Sequence, residues 1–155
     1  MHRLLILAFG TVAASAPAQA EPVLQLSPLQ HLYAGGGGCA ERFWLEWRGA
    51  RSEIRDIRLV IEIEAPGEES LRETLVVARL GTSIADQAQE AVMETPRCLS
   101  GPPRLVVRSA TAHVEGRAVD LLKTHGLRIA RVQRLPLVIG SSDERRGVSP
   151  TGKQD

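Results

Sequence analysis

The chain has 155 residues and nearly balanced charge, with 19 Lys and Arg against 18 Asp and Glu. This balance argues against nucleic acid or an anionic membrane as the main partner, since both are bound by strongly basic surfaces. The first 20 residues hold only one of these charges, Arg3, so without them the basic and acidic residues are equal in number. The remaining length suits one domain with a single hydrophobic core.

Residues 1–20 have the three-part pattern of a cleaved secretory signal peptide. Arg3 precedes an apolar run at residues 4–12, and small residues lead to a cleavage-type sequence, Ala18-Gln19-Ala20. The run is far shorter than the roughly 20 residues that span a bilayer, so we predict no membrane insertion. We expect a periplasmic or secreted protein that begins at Glu21.

Alternation of apolar and polar side chains dominates residues 21–139 and predicts β-strands. The first strand covers residues 23–33, interrupted at Pro28, and the glycine run at 35–38 predicts a turn. A second strand follows Cys39, and its core-facing residues are predicted to be Phe43, Leu45 and Trp47.

Strict alternation at residues 57–64 predicts a third strand with one buried face. Pro66-Gly67 predicts the turn into a fourth strand at 71–80. These two segments should therefore form a hairpin.

Two further strand regions are predicted after residue 100. Residues 105–114 form one strand, and its return at 118–122 follows Glu115-Gly116, whose glycine can supply the positive φ of a tight turn. Residues 127–139 are predicted as the last long strand. Pro136 within it predicts a sheet edge or a bulge, because proline cannot donate to a ladder of hydrogen bonds.

Residues 83–95 fit two patterns. Ser83 and Asp86 resemble a capping box and would begin a short helix near residues 83–94. Alternation over residues 88–94 predicts a strand instead. With that strand the count is about seven, and we predict a mainly β fold, an antiparallel β-sandwich of the immunoglobulin or fibronectin type III kind.

The domain organisation follows from composition. We predict a single sandwich domain at residues 21–139. Residues 140–155 are rich in Gly, Ser and charged residues and have almost no apolar side chain, so they cannot repay the entropy of ordering. A disordered tail is predicted there.

The two cysteines of the chain, Cys39 and Cys98, are predicted to form a structural disulfide, because an isolated pair in an oxidising compartment is most simply bonded. Cys39 begins the second predicted strand and Cys98 follows the fifth. In the sandwich these strands pair antiparallel, so the bond should cross one end of a single sheet. Its loop of about 60 residues would contribute on the order of 4 kcal/mol.

No motif predicts catalysis, a metal or a cofactor. The histidines at 31, 113 and 125 have no spacing typical of a zinc site, and Met93 is the sole methionine after residue 20, which argues against copper(I). A nucleophile elbow and an SxxK pair are both lacking. We therefore predict a protein that is not an enzyme.

One cluster suggests an interaction site. By alternation, Trp44 faces away from the core between Arg42 and Glu46, and an outward Trp between charges is a candidate interface anchor. The alternative is that a loop or the C-terminal strand covers Trp44. Open sandwich edges could also allow a strand-exchanged dimer.

From these features we predict a non-catalytic module that binds a protein partner or itself. Two alternatives stay open: a periplasmic hydrolase or carbohydrate-active enzyme with an unrecognised site, and a carrier of a small ligand or metal. A concave pocket that holds His113 or His125 with acidic residues would favour the enzyme.

Overall fold

Residues 21–49, 51–130 and 135–140 are described by the computed structural model, and strands dominate them. In chain order the strands are β1 (Val23–Gly35), β2 (Gly38–Arg48), β3 (Ile54–Glu64), β4 (Leu71–Leu80), β5 (Ala88–Thr95), β6 (Arg104–Val114), β7 (Arg117–Asp120), β8 (Leu127–Ile129) and β9 (Leu137–Ile139). The predicted signal peptide and residues 141–155 of the predicted tail lie outside the described residues.

The strands form two sheets, and the predicted β-sandwich is confirmed. The described residues form nine strands rather than about seven, and the pairing is not wholly antiparallel, because β8 and β9 each pair parallel with a neighbour. The first sheet has the order β5-β2-β1-β8, and the second has the order β4-β3-β6-β7 with β9 also paired to β6. The sandwich shares its two-sheet architecture with an immunoglobulin constant domain but differs in strand order. In the constant domain the fourth strand belongs to the same sheet as the first two strands. Here β4 pairs with β3 in the second sheet.

Strand β5 resolves the ambiguity at residues 83–95, and the helix interpretation is wrong. The capping residues do interact, because Asp86 accepts hydrogen bonds from the backbone and hydroxyl of Ser83. A single turn follows, closed by the bond from Gln87 N to Ser83 O (2.8 Å), and the chain then becomes extended. Ala91, Met93 and Thr95 are buried at every second position, which a helix could not achieve.

The core lies between the two sheets and is built from the predicted alternation. In β3 the side chains of Ile57, Leu59, Ile61 and Ile63 are all buried, and in β2 those of Phe43, Leu45 and Trp47 are buried opposite them. The second sheet continues this face through Leu75, Val77, Leu105 and Val107. Burial of so many large apolar side chains is the main favourable term for the fold.

The turn between β6 and β7 has the chemistry predicted from Glu115-Gly116. Both residues have positive φ, 51° and 74°. Two successive left-handed residues make the type I′ turn that suits the twist of a two-residue hairpin. Gly116 adopts this conformation without a steric cost.

The last predicted strand, residues 127–139, is divided between the sheets. β8 pairs parallel with β1, and β9 pairs parallel with β6. Pro136 comes directly before the edge strand β9, and its carbonyl accepts a hydrogen bond from Leu105 N (2.8 Å). Gly140 N continues the ladder with a bond to Val107 O (2.9 Å), so this first residue of the predicted tail is bound to the second sheet.

The described residues contain no helix of the length and apolar character needed to cross a bilayer.

Candidate interaction face and the disulfide end

The outward side of the first sheet carries the predicted interface residues. Arg42, Trp44 and Glu46 alternate along β2 with buried core residues, so their side chains lie on the solvent side. The registers of β5 and β1 add residues to this surface, which we call the Trp44 face: Gln30, Arg42, Trp44, Glu46, Glu90 and Val92. The structure therefore brings the three predicted residues together with three that the sequence analysis missed.

Two large apolar side chains are exposed on the Trp44 face. Trp44 is 40% exposed and lies opposite Glu90 in the β2/β5 ladder. Val92, two residues along β5, is 51% exposed and lies opposite Arg42. Trp44 is thus neither buried nor fully exposed, and part of its side chain is open to solvent.

An ion pair lies between these apolar residues, because Arg42 is opposite Val92 and Glu90 is opposite Trp44 in the ladder. Arg42 donates to both carboxylate oxygens of Glu90, from Nε at 2.8 Å and from Nη2 at 2.5 Å, and donates a third bond to Gln30 Oε1 at 3.1 Å. The hydrogen bond and charge of Arg42 lower the pKa of Glu90 below its usual value. Both side chains are about a third exposed, so the pair contributes little to stability and mainly fixes the shape of the surface.

Glu46 completes the row on β2 and interacts along its own strand. Its carboxylate accepts a hydrogen bond from Arg48 at 2.7 Å. The charges beside Trp44 are therefore paired within the face: Arg42 with Glu90, and Glu46 with Arg48.

The disulfide lies at one end of the same sheet. Cys39 and Cys98 are bonded, with their Cα atoms 5.0 Å apart, which is within the usual range. Cys39 is at the start of β2, opposite Thr95 at the end of β5, as the sandwich topology predicts. The Thr95 hydroxyl donates to the carbonyl of Cys39 at 3.1 Å, and Cys98 N donates to Gly37 O at 2.9 Å.

A buried carboxylate lies beside this disulfide. Glu41 alternates inward with the core residues of β2 and is 1% exposed. His31 Nδ1 is 2.5 Å from Glu41 Oε1, and His31 Nε2 is 3.4 Å from Cys39 Sγ. Burial raises the pKa of Glu41 above its usual value, and the hydrogen bond and charge of His31 oppose that shift. Sequence analysis missed this cluster because it treated His31 as an isolated histidine.

The other two histidines lie at hollows on the surface. His113 pairs with Asp56 at 3.3 Å, and both side chains are largely exposed. His125 lines a cleft of about 310 Å³ together with Glu21, Thr124 and Arg128 and the apolar residues Val23, Trp47, Val114, Val119 and Leu121. Its volume is at the low end for a small-molecule pocket.

Within the described ranges, no three His, Cys, Asp or Glu side chains are grouped so as to hold a metal ion.

These features define a two-sheet β-sandwich with a disulfide across one sheet end and an apolar, ion-paired outward face. No protein-family model and no curated protein matches the chain. The structure is similar to that of IrmA from Escherichia coli, with a TM-score of 0.61 and 17% sequence identity. The alignment covers 74% of this chain and 97% of the IrmA chain. At this identity the similarity shows a shared fold alone.

Proposed function

We propose that the protein is an exported, non-catalytic module that binds a protein partner through the Trp44 face. The observation that carries the proposal is the exposure of Trp44 on β2 together with Val92 on the adjacent edge strand β5, on the same outward surface. Trp and Arg are enriched among the residues that dominate binding energy, particularly where surrounding groups exclude water. Arg42, held by Glu90 between the two apolar side chains, would add a fixed polar contact to them.

The ion pairs on the Trp44 face support a protein partner whose surface has both apolar and polar groups. Because Arg42 and Glu46 already have partners on the face, the surface carries little unpaired charge to attract a strongly charged ligand. A protein surface that combines apolar and polar groups would match this face. Its contact with Trp44 would remove apolar area from water, which is favourable.

Self-association is a second route, supported by the edges of the sandwich. β8 and β9 each make three ladder pairs, far fewer than the central strands. Strands held by so few pairs can detach at low cost, and their exchange between two chains would remake the same contacts in a dimer. Open edges favour such pairing because their N–H and C=O groups lack partners.

Export to the periplasm or the medium belongs to the proposal. The disulfide supports it, since such bonds persist in oxidising compartments. The hydrolase and ligand-carrier alternatives would use the hollows at His113 or the cleft at His125. The solvent-exposed His113–Asp56 pair gives them less support than Trp44 gives the binding module.

Val92→Asp tests the face with a closely matched control. Val76 is 52% exposed on β4, the edge strand of the other sheet, so Val76→Asp makes the same change at equal exposure on the opposite surface. The native protein, these two variants and Trp44→Ala, each confirmed as folded, would be used to capture partners from exported proteins of the native organism. Loss of one defined partner with Val92→Asp and Trp44→Ala, but not with Val76→Asp, is expected. Equal capture by all four chains would overturn the proposal.

Sedimentation velocity at micromolar concentration tests self-association separately. A dimer that persists in Val92→Asp would indicate strand exchange. A dimer that is lost in Val92→Asp but kept in Val76→Asp would indicate pairing through the Trp44 face. A native chain that is monomeric at all concentrations would contradict both modes of dimerisation.

A further inference from the structure

The His31–Glu41 pair directs a hydrogen-bond donor at the disulfide. Cys39 Sγ lies 3.4 Å from His31 Nε2, and as a bonded sulfur it has no hydrogen to donate. With the proton on Glu41, Nδ1 accepts it and Nε2 carries the hydrogen; with the proton on His31, both ring nitrogens carry one. In either arrangement Nε2–H faces the sulfur. The remaining arrangement, a neutral His31 with its hydrogen on Nδ1 beside an ionised Glu41, would leave the charge of a carboxylate that is 1% exposed without a cation and would aim a lone pair at Sγ.

The other polar side chains around the Glu41 carboxyl are bound elsewhere, which leaves His31 as its hydrogen-bond partner. Arg97, which also borders this small cavity, directs its guanidinium to Glu68 and to the carbonyl of Glu69. The Thr95 hydroxyl is bound to backbone carbonyls. Glu41 Oε2 is buried and has no hydrogen-bond partner among the described residues. Among the described residues, His31 is therefore the side chain that hydrogen-bonds the buried Glu41 carboxyl.

We infer that the Cys39–Cys98 disulfide is a site of thiol–disulfide exchange with a dithiol, in which His31 stabilises the departing sulfur of Cys39. The thiolate of the dithiol attacks Sγ of Cys98 and forms a mixed disulfide. The Cys39–Cys98 bond breaks, and its electron pair stays on Cys39 Sγ, which accepts the hydrogen bond or the proton from His31 Nε2. The second thiol of the reagent then displaces Cys98, so the dithiol is oxidised and the protein gains two thiols.

Exposure determines which sulfur is attacked. Cys39 is 3% exposed, whereas Cys98 is half-buried in the connection between β5 and β6. An incoming thiol therefore meets Cys98 first, and Cys39 becomes the leaving group beside His31. A low-pKa leaving thiol departs faster, and an adjacent His is one of the groups that make thiols acidic.

Reduction of the folded protein by dithiothreitol at pH 7 tests the role of His31. We compare the native chain with His31→Gln, whose amide can still bond to Glu41, and with His113→Gln as a control at the other sheet. Because a departing thiolate that loses its hydrogen-bond donor leaves more slowly, reduction of His31→Gln should be several-fold slower than that of the native chain and of His113→Gln. A structural role alone would loosen this end and make reduction faster. An unchanged or faster rate in His31→Gln would overturn the inference.

Glutathione, which has a single thiol, tests the order of attack. Mass spectrometry of the quenched mixed disulfide should find glutathione on Cys98 in the native protein. An adduct mainly on Cys39 would overturn the assignment of the leaving group, independently of whether the Trp44 face binds any partner.

Discussion

A Cβ atom on Gly38 would lie 2.7 Å from the backbone carbonyl oxygen of Thr95, on the strand that pairs with β2. No Cβ is normally found so close to a backbone atom, and a carbonyl in a ladder cannot move aside freely. Gly38→Ala should therefore lower the free energy of unfolding by about 1–3 kcal/mol, as overpacking does. Urea unfolding measures the change.

Gly101→Ala is the matched control for that substitution. A Cβ at Gly101 would meet Pro66 Cδ at 3.5 Å, an ordinary contact, and Gly101 is not among the residues with positive φ. Its stability should be unchanged or slightly increased, because alanine restricts the unfolded chain. Equal losses for Gly38→Ala and Gly101→Ala would contradict the steric explanation.

Removal of the disulfide should destabilise the protein. The bond closes a loop between residues 59 positions apart, so the double variant Cys39→Ala/Cys98→Ala should lose about 2–5 kcal/mol of unfolding free energy. Guanidinium unfolding measures this loss. Thiol titration of unfolded, unreduced native protein should find no free thiol, and two reactive thiols per chain would contradict the bond.

Adjacent residues of β2 should differ sharply in their effect on stability. Phe43 is fully buried, and Phe43→Ala should cost about 3–5 kcal/mol through lost burial and a cavity. Trp44→Ala should cost clearly less, because Trp44 is partly exposed on the other side of the sheet. Chemical unfolding of both variants checks the order, and a larger loss for Trp44→Ala would show that Trp44 serves the core.

Glu41 should make stability depend on pH. Burial raises its pKa above the ordinary value of 4.5, against the opposing hydrogen bond of His31, so the folded state holds this proton more tightly than the unfolded chain. The stabilising contribution is full below about pH 4.5 and is lost as the pH rises through the raised folded-state value.

Glu41→Gln removes that titration and serves as the comparison. Urea unfolding between pH 4 and pH 8 should show that the unfolding free energy of Glu41→Gln, relative to the native chain, increases as the pH rises. A relative stability that stays constant across the range would rule out a raised Glu41 pKa.

Local patterns in the sequence predicted much of the fold. The alternation of Ile57 to Ile63 is visible because a strand with one buried face imposes a period of two on neighbouring residues. The positive φ at Gly116 and the bond between Cys39 and Cys98 were also predictable, since turn chemistry restricts the first and a chain with two cysteines allows only one internal bond. In contrast, the division of residues 127–139 between two sheets depends on distant partner strands.

The candidate site was only partly predictable for the same reason. The alternation of apolar and polar residues in β2 was sufficient to predict that Trp44 faces away from the core. Glu90 and Val92 join it through the register of β2 with β5, which no local pattern specifies. His31 reaches Glu41 because β1 and β2 form a hairpin in which these residues are paired. A charged residue at an inward position of an alternating strand was the available signal, and it indicated a buried polar partner.

The parallel pairing of β8 with β1 has a consequence for how the chain folds. Leu24 pairs with Leu127, so the edge of the first strand is completed by residues made roughly a hundred positions later, a long separation of the kind that slows folding. Because the chain is synthesised from its N terminus, the edge of β1 that pairs with β8 stays unpaired until nearly the whole domain has been made. Closure of the first sheet is therefore a late event, and a nascent chain truncated before Leu127 would present an unprotected strand to its neighbours.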